Sequence, residues 1–87
     1  MGYFNNMGKW FVYLLECGDG SFYCGISTDV DKRIEAHVNG KGSKYVYSKG
    51  FKRLVGCKEC LDRRDASKQE YMIKQLGHND KLDYFIE

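Results

Sequence analysis

The chain has no proline, no low-complexity tract and no internal repeat, so nothing in it marks a linker or the start of a second domain. No apolar run approaches the roughly 20 residues of a membrane-spanning helix, and no membrane partner is expected. The opening stretch, Met1 to Lys9, lacks the basic-then-apolar layout of a secretory signal. Asn6 stands where N-myristoylation requires Ser or Thr. The expected location is cytoplasmic. With 87 residues there is room for one domain and one modest core. A loose lead-in is expected over residues 1–9 and a single domain over 10–87.

What is present suits a folded globule: 43% of residues are hydrophobic and 15% aromatic, too many for a disordered chain. The net charge of +2 hides a local excess. Lys32, Arg33, Lys41, Lys44, Lys49, Lys52 and Arg53 face a single acid, Glu35, over residues 32–53, with Tyr45, Tyr47 and Phe51 among them. A charge run alone favours a solvated loop; with aromatics interleaved and the Tyr23–His37 unit next to it, a track for a nucleic-acid backbone is an equal reading. Lys32, Lys41, Lys44, Lys49, Lys52 and Arg53 are the candidate nucleic-acid contacts.

Cys57-Lys-Glu-Cys60 has the spacing of a zinc knuckle, which Cys17 and Cys24 would have to complete. All four fall in strand-like segments, where residues three apart point to opposite faces. They are read instead as small buried hydrophobes.

Trp10 to Cys17 is apolar on both faces until Glu16 and is expected as a central strand. Gly18-Asp19-Gly20 turns it into a second strand, Ser21 to Ile26. A three-residue loop sets Tyr13 opposite Gly25 and Leu15 opposite Tyr23, so both tyrosines share a face. Val12, Leu14, Phe22, Cys24 and Ile26 share the other. Gly20 then takes the left-handed position of a turn plus bulge.

Ser27 or Thr28 is expected to cap a helix that ends at Asn39-Gly40, with Val30, Ile34 and Val38 inward and Arg33 and His37 on its flank. Ser43 caps a short turn over Tyr45 to Ser48. Phe51 to Cys60 is a third strand, with Gly56 marking a bulge. A further helix opens at Asp62 or Asp65, runs to Leu76 and closes at Gly77, with Ala66, Met72, Ile73 and Leu76 inward. Glu70 falls on that inward face. A carboxylate there binds a metal, reaches a rim or pairs with a cation. A short last helix is expected around Leu82, Phe85 and Ile86.

Phe11-Val-Tyr13, a short hairpin, Tyr23-Cys-Gly25, then Arg33, His37 and Glu70 resemble the GIY-YIG endonuclease family, in particular its small single-domain bacterial members. The run Tyr23 to His37, the loop Gly40 to Lys44 and the stretch Ala66 to Lys74 carry the likeness, which spans residues 10 to about 77. Phe11 replaces the first motif's glycine and Cys24 the second motif's isoleucine, both at positions read as structural.

The resemblance implies an α+β fold: a small three-stranded antiparallel sheet flanked by helices, in β-β-α-β-α order. It implies catalytic roles for Tyr13, Tyr23, Arg33, His37 and Glu70. The two tyrosines surround the attacking water, with Tyr23 as general base. Arg33 stabilises charge on the phosphate, His37 lines the site, and Glu70 holds one divalent cation, Mg2+ or Mn2+. The implied partner is nucleic acid, DNA first, with a protein partner supplying specificity.

Elementary chemistry agrees. Phosphodiester hydrolysis needs an activated water, positive charge on the phosphate and help for the leaving alkoxide. Arginine offers a planar fork to two phosphate oxygens. A phenol, with an ordinary pKa of about 10, needs a neighbouring cation to act as a base. The five residues are expected to line one concave surface. The rival reading is a nucleic-acid-binding module on the same fold that turns over poorly or not at all.

Overall fold

A computed structural model of the protein describes residues 8–86; the expected lead-in falls, for residues 1–7, outside them. Strands β1 (Trp10–Cys17), β2 (Phe22–Ser27) and β3 (Phe51–Cys60) form one antiparallel sheet in the order β2-β1-β3. The helices are α1 (Val30–Val38), α2 (Lys44–Lys49), α3 (Arg63–Lys74) and α4 (His78–Phe85). The α+β class and the β-β-α-β-α order hold, with the short turn after Ser43 and the final segment forming α2 and α4.

β1 is central because it is apolar on both faces. Phe11, Tyr13, Leu15 and Cys17 enter one core with Val30 of α1 and Val46 of α2. Val12 and Leu14 enter the other with Cys24, Cys60 and, from α3, Ala66 and Ile73. Each fully buried aliphatic side chain contributes about 1.5–3 kcal/mol. Val12, Leu14, Leu15, Val30, Val46 and Ile73 are all fully buried, so these two layers carry most of the fold's apolar stabilisation.

The register is the one the three-residue loop dictates: Tyr13 pairs with Gly25, and Leu15 with Tyr23. Gly20 has φ +88°, and its N–H donates to Cys17 O at 2.9 Å. On the other side of β1, Leu14 pairs with Gly56 but Leu15 with Leu54. The bulged residue is therefore Val55, beside the glycine that signals it.

Three local expectations are corrected. Asp29, not Ser27 or Thr28, caps α1: its Oδ1 accepts from Lys32 N at 3.0 Å, while Ser27 Oγ accepts from Asp29 N at 2.9 Å. The inward stripe of α1 is Val30, Ile34 and His37. Val38 is 59% exposed and His37 only 3%, because the chain reverses at Gly40 through paired bonds, Gly40 N to His37 O and Lys41 N to Ala36 O. The returning loop covers the histidine. Helix α3 stops at Lys74 and leaves Met72 exposed, and Gly77, at φ −68°, caps the start of α4 instead.

Candidate active site

The hairpin register brings Tyr13 over Gly25, which has no side chain to obstruct it. A Cβ on Gly25 would stand 2.6 Å from Tyr13 Oη and 2.7 Å from its Cζ. The phenol passes through that gap to a 3.0 Å hydrogen bond with His37 Nε2. Tyr13 is 1% exposed, and burial, reinforced by neighbouring Tyr23, pushes its pKa well above the ordinary phenol value while Arg33 pulls it back. Burial, with Arg33 second, lowers the pKa of His37. Near neutral pH the pair is a neutral phenol against a neutral imidazole. With the phenol donating, the ring proton is on Nδ1, which has no hydrogen-bond partner among the described residues and faces Gly42, where a Cβ would be 2.5 Å away.

Gly25→Ala is therefore expected to displace Tyr13 from His37. The neighbouring atoms are an aromatic ring held in a core, so the loss on thermal or denaturant unfolding should be about 1–3 kcal/mol, the range for overpacking. An unchanged midpoint would show that the phenol does not need the gap.

Tyr23 follows on the same face. Its ring centroid lies 5.4 Å from that of His37, 6.4 Å from Tyr13 and 6.0 Å from Tyr45. Arg33 is exposed one helical turn before His37. It makes no ion pair among the described residues, yet its charge is felt by both Tyr13 and His37. Beside it, Ser27, Thr28, Asp29, Lys32, Arg33 and Ala36 line an open depression of about 370 Å³.

Glu70 is carried by α3. Helix α3 covers β1 and β2 from the opposite layer, where Ala66 and Ile73 are buried. β-strand alternation assigns the tyrosines to one layer and the α3 residues Ala66 and Ile73 to the other, so Glu70 approaches the hairpin from the α3 side. The Glu70 side chain is 24% exposed at a rim and accepts an ion pair from Lys74 Nζ at 3.1 Å. Its charge reaches the β1–β2 hairpin. It raises the pKa of Tyr13, as the smallest of five causes. It is also the largest cause after burial in pushing the Cys24 thiol up to about 12.

Among the described residues no three His, Cys, Asp or Glu side chains cluster to hold a metal. One carboxylate with water ligands suits Mg2+ or Mn2+, which keep much of their hydration, and does not suit a zinc centre. The four cysteines form no disulfide. Cys57 packs on one core and Cys60 on the other, as the strand spacing predicts.

The basic residues divide into two groups. Lys49 pairs with Asp19 at 3.3 Å, while Lys52 and Arg53 share Glu16 at 3.7 and 2.8 Å. Lys32, Lys41 and Lys44 are exposed and make no ion pair among the described residues. Exposed pairs contribute at most about 1 kcal/mol each and yield readily to phosphate. Still, the unpaired positive charge is concentrated next to Arg33 and the 40–44 loop rather than along the whole track. Sequence reasoning missed the acids that neutralise half of it, because Glu16 and Asp19 become neighbours only through the sheet. It also missed Tyr45 as part of the aromatic cluster, although its place behind the Ser43 cap was legible.

Residues 9–83 match the family profile described as the GIY-YIG catalytic domain. The UPF0213 protein BH0048 of Halalkalibacterium halodurans is 45% identical over 71 residues, covering 82% of this chain and 76% of that protein. The UPF0213 protein YhbQ of Escherichia coli is 41% identical over 75 residues, covering 86% of this chain and 75% of that protein. The solution NMR structure of the UPF0213 protein BH0048, its source given as Bacillus halodurans, superimposes with a TM-score of 0.54 at 42% identity, covering 87% of this chain and 81% of that one.

Proposed function

The chain belongs to the GIY-YIG catalytic-domain family, and from that premise we propose that it is a divalent-metal-dependent endonuclease hydrolysing phosphodiester bonds, DNA first, with residues 10–87 acting as one domain. The observation that carries this reading is the neutral Tyr13–His37 pair, with the Tyr23 ring against both and Arg33, which has no ion pair among the described residues, beside them. A structural tyrosine does not need a glycine-sized gap leading to a buried imidazole.

In this reading Tyr23, as its phenolate with the Arg33 cation nearby, takes the proton of the attacking water and becomes the phenol. Tyr13 resists ionisation: its one O–H is donated to His37 Nε2, which fixes the phenol, and its oxygen is left to accept from the attacking water. Arg33 grips the non-bridging oxygens and stabilises the charge that grows on them. Lys32, Lys41 and Lys44 bind the flanking backbone, and Lys49, Lys52 and Arg53 join them as phosphate replaces their carboxylate partners. Glu70 would hold Mg2+ or Mn2+ through the oxygen that Lys74 leaves open. Bound there, the cation supplies positive charge for the departing alkoxide. Sequence or structure selectivity is assigned to a protein partner or to the shape of the substrate.

The test is cleavage of labelled single-stranded, duplex, flapped and branched DNA, and of RNA, with Mg2+ or Mn2+. Glu70→Ala is expected to reduce cutting by about a hundredfold or more, the scale of losing one transition-state charge stabiliser, while leaving DNA affinity within about twofold. Equal binding by both proteins with no cutting by either would assign the fold to the binding module instead.

A further inference from the structure

Resting on the nuclease reading above, we propose that Tyr45 extends the site into a shelf for an unpaired base, so that the chain selects single-stranded nucleic acid, or an unpaired nucleotide beside the cut, over continuous duplex.

Tyr45 is firmly placed. Ser43 Oγ accepts from Tyr45 N at 3.1 Å and from Val46 N at 3.4 Å, and Val46 is fully buried in the Tyr13 core. The short helix α2 therefore cannot turn Tyr45 away from the site. Its ring stacks on Tyr23 at 6.0 Å between centroids and 30° between planes. Tyr23 in turn meets His37 at 5.4 Å. A continuous run of rings thus leads from the buried imidazole, past the proposed general base, to Tyr45, which is 42% exposed. The Tyr45 hydroxyl makes no hydrogen bond among the described residues, so the ring is not held there by its polar end.

The charges around this ring suit a nucleotide. Lys49 Nζ stands 5.7 Å from the Tyr45 centroid and at the same time pairs with Asp19 at 3.3 Å. Lys44 precedes Tyr45 on the helix, and Lys41 lies in the loop before it. A flat π-surface bordered by lysines is the arrangement that binds single strands, where each base has a free face and each phosphate a negative charge. An arriving base takes the place of the Lys49 ammonium over the ring and leaves that ammonium for the adjacent phosphate. In continuous duplex both faces of every base are already stacked on neighbours, so the shelf gains nothing without extruding one.

The test is binding without catalysis. Affinities of the full chain for a labelled single-stranded DNA, an RNA of the same sequence and the matching DNA duplex are measured in EDTA for wild type, Tyr45→Ala, Tyr45→Leu and Tyr45→Phe. Wild type should prefer a single strand to duplex, and the DNA and RNA arms identify which. Tyr45→Ala should weaken single-strand binding about fivefold to a hundredfold, the range for one base–aromatic stack, and Tyr45→Leu should behave alike. Tyr45→Phe should retain wild-type binding. The salt dependence should not change, since no cation is lost. Equal single-strand affinity for wild type and a folded Ala or Leu variant would overturn the shelf, as would an equal loss on duplex. Cleavage does not enter this readout. Failure to cut would remove the nuclease reading alone, and cutting with no effect of Tyr45 on binding would remove the shelf alone.

Discussion

Arg33→Ala should lower cutting by about a thousandfold to a hundred-thousandfold, the range for removing an arginine that stabilises a phosphoryl transition state, while the protein stays folded. Arg33 is exposed and has no carboxylate partner among the described residues, so its loss orphans no buried charge. Its guanidinium also lowers the His37 pKa and opposes the rise at Tyr13. Removing it should let the His37 titration move up toward the ordinary imidazole value and drive Tyr13 higher still. Single-turnover cleavage measures the first effect and an NMR titration of His37 the second. Arg33→Lys should restore the His37 shift more fully than the rate, because an ammonium reproduces the charge but not the bidentate fork. Undiminished cutting by Arg33→Ala, with the His37 shift present, would remove Arg33 from the chemistry while keeping its placement.

Tyr23→Phe should cost about a hundredfold to ten-thousandfold in cutting, the usual worth of a positioned general base, with nucleic-acid affinity unchanged. Phenylalanine keeps the ring that stacks between His37 and Tyr45, so only the hydroxyl is tested. A single-turnover rate at saturating protein separates the two quantities. If Tyr23→Phe still cuts at the wild-type rate, the base lies elsewhere, and the neutral imidazole of His37 is the next group within the cluster.

Periodicity determines much of this architecture and stops where contacts are made by loops. An apolar run on both faces of Trp10–Cys17 is enough to make β1 central, and counting residues across Gly18-Asp19-Gly20 is enough to set both tyrosines on one face, as the pairing of Tyr13 with Gly25 bears out. Strand geometry sends α3 to the layer opposite the tyrosines, a placement that the position of Glu70 on a helical wheel does not contain. A wheel says which side of its own helix a residue takes, not which side of a sheet that helix covers. His37 shows a similar limit. Its wheel position marks a flank, and it is buried only because the chain turns back at Gly40 and lays Gly42 against the ring. Ion pairs such as Glu16 with Lys52 and Arg53 join residues far apart in the chain, and no local pattern announces them.

The four cysteines give the fold a built-in gauge. Cys17, Cys24 and Cys60 are buried and Cys57 is half-buried, and they are distributed over both layers: Cys17 and Cys57 on the Tyr13 side, Cys24 and Cys60 under α3. Burial raises the pKa of Cys17, Cys24 and Cys60, so each is both shielded and poorly nucleophilic while the layers are closed. A thiol-alkylating reagent therefore reacts with these three only when a layer opens, and its rate at each position reads the free energy of that opening. Mass spectrometry of the alkylated chain would time the two layers separately, without a label, a mutation or a substrate. It would show whether the helix that carries Glu70 breathes independently of the layer that holds the tyrosines.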